Sequence, residues 1–376
     1  MKIIADENIP LVEEFFSHLG AVVRRPGRQM VPDDINDADA LLIRSVTSVN
    51  ADLLANSAVT FVGTCTIGID HLDQDFLNRR GIHFSSAPGC NANSVVEYVY
   101  AALCELDVDW RAKTVGIIGC GNVGGLLHRR LRAQGVECRC YDPFLSVEQN
   151  PDLTSLEDVL NCDIVSLHTP LTKSGPYPSF HLLGLPELRQ LKRDAVLLNC
   201  GRGPVIDNHA LLAFLQERND VRVVLDVWEP EPAISQELLA KVALGTPHIA
   251  GYSYDGKLKG TEMIYQALCA HLDRVPQQSL PLLVSPMKGN NLSIPSGDHW
   301  RVIKGLVKQV YDIAADDAAL RGLANTSSDI PTLASGFDAL RKHYPVRREF
   351  QNYRLPMSSL DPSLEIRLLE LGFTPE

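Results

Sequence analysis

The chain opens by alternating short apolar runs with amphipathic ones: KIIADENI, LVEEFFSHLG, DALLIRSVT, ADLLANS, VTFVGTCTIGID, HLDQDFLNRRG and IHFSSAP. Strand-like and helix-like segments that alternate in this way predict a parallel sheet covered by helices on both faces. NSVVEYVYAALCELDVDW follows, with apolar residues at helical spacing over a longer reach, and it carries the chain toward a second domain. There KTVGIIGCGNVGGLLHRRLRAQGVECRCYD reads as strand, glycine turn, amphipathic helix and strand. The alternation continues through SLEDVL, DIVSLHTP, AVLLNCGRG, ALLAFLQER, VRVVLDVWEPEP and LGTPHIAGY, so a second doubly wound sheet is expected. DGKLKGTEMIYQALCAHLDRV predicts one more helix, and PQQSLPLLVSPMKGNNLSIPSG a crossing linker. The tail begins with HWRVIKGLVKQVYDIAADDAALRGL, which predicts a single long helix, and is long enough for a small third domain.

Composition narrows the function classes. At 376 residues the chain exceeds one ordinary core, which favours two or three domains. Its net charge of −11, with no dominant basic cluster, argues against nucleic-acid binding. The nine cysteines show no paired metal-type spacing and read as reduced core residues, and no metal is expected. MKIIADENIP carries charges at once and no stretch is long and apolar enough for a membrane span, so a cytoplasmic protein is expected.

The chemistry concentrates in the second sheet. In Gly119-x-Gly121-x-x-Gly124 the first glycine permits the tight turn and the second lets backbone approach a pyrophosphate. The third lets helix pack on strand. Asn122 and Val123 supply the first helical amides, where unpaired donors and the helix dipole favour phosphate. Asp142, after the next strand, can accept both ribose hydroxyls and would repel a 2′-phosphate, which favours NAD over NADP. Arg202 follows the run AVLLNC, at a strand end where ligands of open sheets gather, and suits a carboxylate. Glu231 lies between prolines in DVWEPEP, and His248 follows Pro247 in LGTPHIAGY. A carboxylate on that imidazole would fix its tautomer for general acid or base work, although spacing alone does not bring the three together.

With GTCTIGIDHLD, GCGNVG, DIVSLHTPLT, LLNCGRGPVID, LDVWEPEP and TPHIAGYS in order, the chain resembles the D-isomer-specific 2-hydroxyacid dehydrogenase family over about its first three quarters. The resemblance implies a Rossmann NAD domain and a flavodoxin-like substrate domain, with Arg202, Glu231 and His248 as the catalytic group in preference to Glu229. It further implies Thr169, Cys200, Gly201, Asp226 and Gly251 along the cofactor, Asp226 facing the nicotinamide amide, and Ser45, Thr66 and Tyr252 at the substrate. Likeness is greatest to a branch that acts on a small phosphorylated 2-hydroxy acid and has a dimerising α+β extension, so a homodimer is expected. A phosphate requires cations: Arg44 is the nearest candidate, and Arg347 and Arg348 are candidates for reaching a partner's site. The implied division is 1–105 with 253–284 for substrate, 106–252 for NAD and 285–376 for dimerisation. Gly125 stands where a larger residue is common. A 3-phosphoglycerate or hydroxypyruvate enzyme of the same family remains a rival, as does a dinucleotide-sensing corepressor or scaffold.

Overall fold

A computed structural model describes residues 1–285, 292–357 and 360–376, so part of the expected linker lies outside the described residues. Contacts divide the chain into two compact units. One holds Met1–Asn91 and the segment that begins at Ser253; the other holds Ala92–Tyr252 and the carboxyl-terminal segment.

The first unit contains β1 (Lys2–Asp6), β2 (Ala21–Arg25), β3 (Ala40–Ile43), β4 (Phe61–Thr64) and β5 (His83–Ser85), in the parallel order β2-β1-β3-β4-β5. That order is the flavodoxin-like winding, with its reversal beside β1. β3 and β4 are buried at every position, because helices cover both faces of a parallel sheet. The helix Tyr254–His271 closes one face: Ile264, Tyr265, Leu268 and Cys269 pack with Phe15, Phe16 and Phe61.

In the second unit, β6 (Thr114–Ile118), β7 (Glu137–Tyr141), β8 (Ile164–Leu167), β9 (Val196–Asn199), β10 (Arg222–Leu225) and β11 (Leu244–Gly245) pair in parallel in the order β11-β10-β9-β8-β6-β7. After β6 the chain runs to β7 on one side and then to β8 on the other. The carboxyl end of β6 is therefore the switch point at which such sheets hold ligands. The glycine turn lies there, followed by the helix Asn122–Ala133.

The passage between units falls at Ala92, earlier than the boundary at 105. The helix Ala92–Glu105 is buried nearly all round, and its Val96, Tyr98, Tyr100 and Leu103 share a core with Ile117, Leu127 and Cys140 of the second unit. The tail groups with the same unit: Ile303, Leu306 and Val307 join that core, and Leu320, Leu333 and Phe337 join the core on the other face of the sheet. The single long helix expected from His299 is two, His299–Val310 and Ile313–Thr326. Tyr311 leaves the helical conformation between them, with φ −142° and ψ 104°, and its buried ring lies 4.2 Å from the Arg347 guanidinium. The tail ends in the helix Pro362–Leu371 and a two-residue parallel pair, β12 (Arg354–Leu355) with β13 (Thr374–Pro375). No helix among the described residues is long and apolar enough to cross a membrane.

Candidate active site

At the switch point, Gly119 has φ +85°, a conformation that disfavours a side chain. A Cβ on Gly124 would lie 2.0 Å from the Gly119 carbonyl oxygen, whereas one on Gly121 would meet nothing within 4 Å. Space is thus open above Gly121, which starts the helix without a side-chain cap. The leading amides at Asn122 and Val123 are left without a side-chain cap, an arrangement that could hold a pyrophosphate. Asp142 directly follows β7, and its Oδ2 accepts the Cys120 amide at 2.8 Å while Oδ1 accepts that of Phe144 at 3.0 Å. Tyr141, Asp142 and Pro143 help line an open depression of about 560 Å³ together with Leu145 and Thr154. Thr169, after β8, donates to the Ile118 carbonyl at 3.2 Å, and the backbone at Gly201 approaches so closely that a Cβ there would be 2.8 Å from the Thr169 oxygen. Cys200 is partly buried at the end of β9, and burial raises its thiol pKa well above the ordinary value. Gly125 tolerates little more than its hydrogen, since a Cβ would come within 2.9 Å of the Cys120 oxygen. Gly124→Val is expected to weaken NAD binding by at least about 10-fold, because helix and turn must separate. A fluorescence titration that finds affinity unchanged would remove the turn from the cofactor site.

Two carboxylates organise the opposite strand ends. Glu231 Oε2 accepts from His248 Nδ1 at 2.7 Å, and its Oε1 accepts the Trp228 amide at 2.8 Å. Burial opposes ionisation of Glu231, yet the His248 charge and these hydrogen bonds outweigh it and hold its pKa below the ordinary value. An ionised Glu231 requires the proton on Nδ1, which leaves Nε2 of a neutral His248 as an acceptor. His248 itself adopts φ +56°, strained for a side-chain-bearing residue. Asp226 imposes that turn. Its backbone oxygen accepts the His248 amide at 2.8 Å, Oδ1 accepts the Ile249 amide at 2.7 Å, and Oδ2 accepts the Ala250 amide at 3.0 Å. Thr246 donates to Oδ1 at 2.7 Å and so takes its own bond from Tyr98, at 2.8 Å. Asp226 is buried and both its oxygens are engaged by the chain's own groups. Gly251 and Tyr252 continue from this turn, and the Tyr252 amide donates to the Ile249 oxygen at 2.8 Å.

Arg202 follows β9, and the next residue locks its loop to the Glu231 segment: a Cβ on Gly203 would lie 1.7 Å from the Trp228 oxygen. Arg202 Nη1 donates to the Gly201 oxygen at 3.0 Å. The structure therefore pairs Glu231 with His248 and lays the Arg202 loop against the same segment. Glu229 has another task, accepting from His181 Nε2 at 2.9 Å. With Asp207 these groups form a cluster that could hold a metal ion. The two imidazole nitrogens face different carboxylates, however, with Nδ1 3.7 Å from Asp207, whose Oδ1 caps the helix Asn208–Glu217. Of these two imidazole contacts only His181–Glu229 is within hydrogen-bond reach.

In the first unit, Arg44, Ser45 and Thr66 follow the carboxyl ends of β3 and β4. The fully buried carboxylate of Asp6, at the end of β1, meets Arg44 Nε at 3.3 Å. Thr66 bonds the Thr64 hydroxyl at 2.8 Å, and Thr64 contacts His71 Nε2 at 3.1 Å. Asp6, Thr64 and His71 did not stand out in the sequence, although the polar end of KIIAD marks where a parallel strand meets its ligand edge. Arg347 does not extend toward a partner: it is buried, and Nη2 donates to the Ala250 oxygen of its own chain at 2.5 Å. Arg348 Nη2 donates to Asn352 at 2.6 Å, also in its own chain.

Residues 101–250 match the family described as D-isomer specific 2-hydroxyacid dehydrogenase, NAD binding domain, and 283–372 match a Domain of unknown function (DUF3410). Over 375 residues, 99% of both chains, the sequence is 62% identical to erythronate-4-phosphate dehydrogenase of Cellvibrio japonicus. The chain belongs to the erythronate-4-phosphate dehydrogenase family. A second member, from Teredinibacter turnerae, is 51% identical over all of this chain and 99% of its own. Among solved structures, 3-phosphoglycerate dehydrogenase of Entamoeba histolytica with NAD+ bound superposes with a TM-score of 0.62 at 23% identity, covering 73% of this chain and 95% of its own. D-lactate dehydrogenase of Aquifex aeolicus gives 0.61 at 21%, covering 73% and 96%. These likenesses establish the fold, and in this erythronate-4-phosphate dehydrogenase family member NAD is the cofactor of the matched domain.

Proposed function

We propose that the protein oxidises 4-phospho-D-erythronate at C2 to 2-oxo-3-hydroxy-4-phosphobutanoate, a step of pyridoxal 5′-phosphate biosynthesis. The observation that carries the chemistry is the 2.7 Å contact between Glu231 and His248, in a chain whose full-length relatives bear that substrate in their name. NAD supplies the hydride acceptor. His248 Nε2 takes the hydroxyl proton as the C2–H bond breaks, and the imidazolium so formed is stabilised by Glu231. Arg202 orients the substrate carboxylate and the developing carbonyl with its planar donors. Arg44, Ser45, Thr66 and Tyr252 bind the remainder of the substrate. Asp142 holds the ribose, and Thr169, Cys200, Gly201, Asp226 and Gly251 border the cofactor.

The segment 285–376 serves as the dimerisation module of a cytoplasmic homodimer, a reading supported by the family resemblance. The test is NAD reduction with 4-phosphoerythronate and, in parallel, 3-phosphoglycerate, with a 2-oxo acid present to reoxidise retained cofactor. Turnover of phosphoerythronate alone is expected. Turnover of 3-phosphoglycerate alone would move the protein to that rival, and tight NAD binding without turnover of either would abandon this substrate.

A further inference from the structure

The match to a domain of unknown function leaves open what residues 283–372 contribute to chemistry. Two arginines of that segment approach the turn after His248. Arg347 is enclosed: its guanidinium lies on Tyr311, donates to Ala250, and is surrounded by the charged or titratable groups of Glu97, Asp316 and Tyr344. It braces the turn through Ala250, and its Nη1 is also buried without a hydrogen-bond partner.

Arg341 differs. It lies in the last turn of the helix Ile330–Lys342, with its guanidinium carbon 5.6 Å from the centre of the Tyr252 ring. Tyr344 fixes that ring from another side, edge to face at 5.9 Å. The Arg341 side chain is only 17% exposed, its Nε is buried without a hydrogen-bond partner, and its Nη1 is 3.8 Å from Asp338, one helical turn earlier. Its charge also acts on Glu231, adding to the forces that keep that carboxyl ionised. A largely buried guanidinium with so loose an ion pair has lost water without gaining a firm bond, which is costly unless a ligand completes it.

We propose that Arg341 binds the phosphate of the substrate, which makes the carboxyl-terminal segment a specificity element for the catalytic residues of its own chain. This rests on the reading of the substrate as a phosphorylated 2-hydroxy acid. The planar fork of a guanidinium matches two phosphate oxygens at once, and Tyr252 beneath it holds the fork in one plane. Arg202 remains for the carboxylate, so the two anionic ends of one small molecule would be read by two arginines of the second unit.

The experiment uses the full chain and compares 4-phosphoerythronate with unphosphorylated erythronate for wild type, R341Q and R341K. The ratio of kcat/KM between the two substrates should fall about 10- to 100-fold in R341Q, mainly through KM of the phosphorylated one, with partial recovery in R341K. A ratio equal to that of wild type in both variants overturns the proposal, because a merely structural arginine would damage both substrates alike. A second measurement stands apart from the substrate assignment: calorimetric titration of the NAD-loaded protein with inorganic phosphate. Binding by wild type that weakens in R341Q supports the site even if phosphoerythronate is not turned over. Equal binding by both, or none by wild type, overturns it.

Discussion

His248→Asn is expected to lower kcat by about 10²- to 10⁴-fold while leaving NAD affinity near that of wild type. Asparagine keeps a polar group near Glu231 but offers no basic nitrogen where Nε2 stands. The geometry makes the loss specific. Nδ1 is committed to Glu231 at 2.7 Å, so the free edge of the ring is the one that can receive a proton. The Glu231 carboxyl, held below its ordinary pKa, keeps a charged partner against that ring. Steady-state kinetics with a parallel NAD titration checks both points. An asparagine variant that retains a tenth of wild-type turnover would place the proton acceptor elsewhere.

The parts of this site legible in the sequence are those in which one residue type has one local use. Three glycines after TVGII announce a turn because backbone conformation and close approach are local demands: φ +85° at Gly119 and the 2.0 Å approach at Gly124 bear this out. The strand ends of the second sheet were legible for the same reason, since a polar residue that closes an apolar run in a parallel sheet stands at the ligand edge, whereas Asp6 and Thr64 of the first sheet were passed over. Partnership across the chain was not. Periodicity shows that Ala92–Glu105 is apolar, but not that it belongs to the second unit rather than the first. It offered one helix from His299, whereas burying Tyr311 beneath Arg347 breaks that helix in two. Arg347 and Arg348 have the composition of a solvated pair; only the fold shows the first of them buried against Ala250. The choice of Glu231 over Glu229 came from resemblance, and in the structure Glu229 is turned toward His181 and Glu231 toward His248.

Asp226→Ala should destabilise the protein by about 3 to 9 kcal/mol, because it strands the Ile249 amide, the Ala250 amide and the Thr246 hydroxyl in a buried place at roughly 1 to 3 kcal/mol each. Asp226→Asn should cost less, about 1 to 3 kcal/mol: its oxygen can keep the bonds made by Oδ1, while its amide nitrogen must face the Ala250 amide. The pH dependence separates charge from shape. Burial drives the pKa of Asp226 up, against the pull of the His248 charge and the three hydrogen bonds. An acid whose folded pKa is raised holds its proton in the native state after the unfolded chain has released it. Native stability therefore falls as pH rises from the unfolded value of about 4 through the folded one. Glu231 has the opposite sign: its contribution is present above its unfolded pKa and is lost as pH falls through the depressed folded one. Wild-type stability relative to Asp226→Asn should accordingly decline with rising pH across the Asp226 window, which chemical denaturation at a series of pH values can follow. A difference that stays flat would mean that Asp226 titrates alike in both states. A decline together with a lowered kcat in Asp226→Asn would tie the buried carboxylate to the strained turn on which His248 depends, since the groups it holds are the two amides that follow that residue.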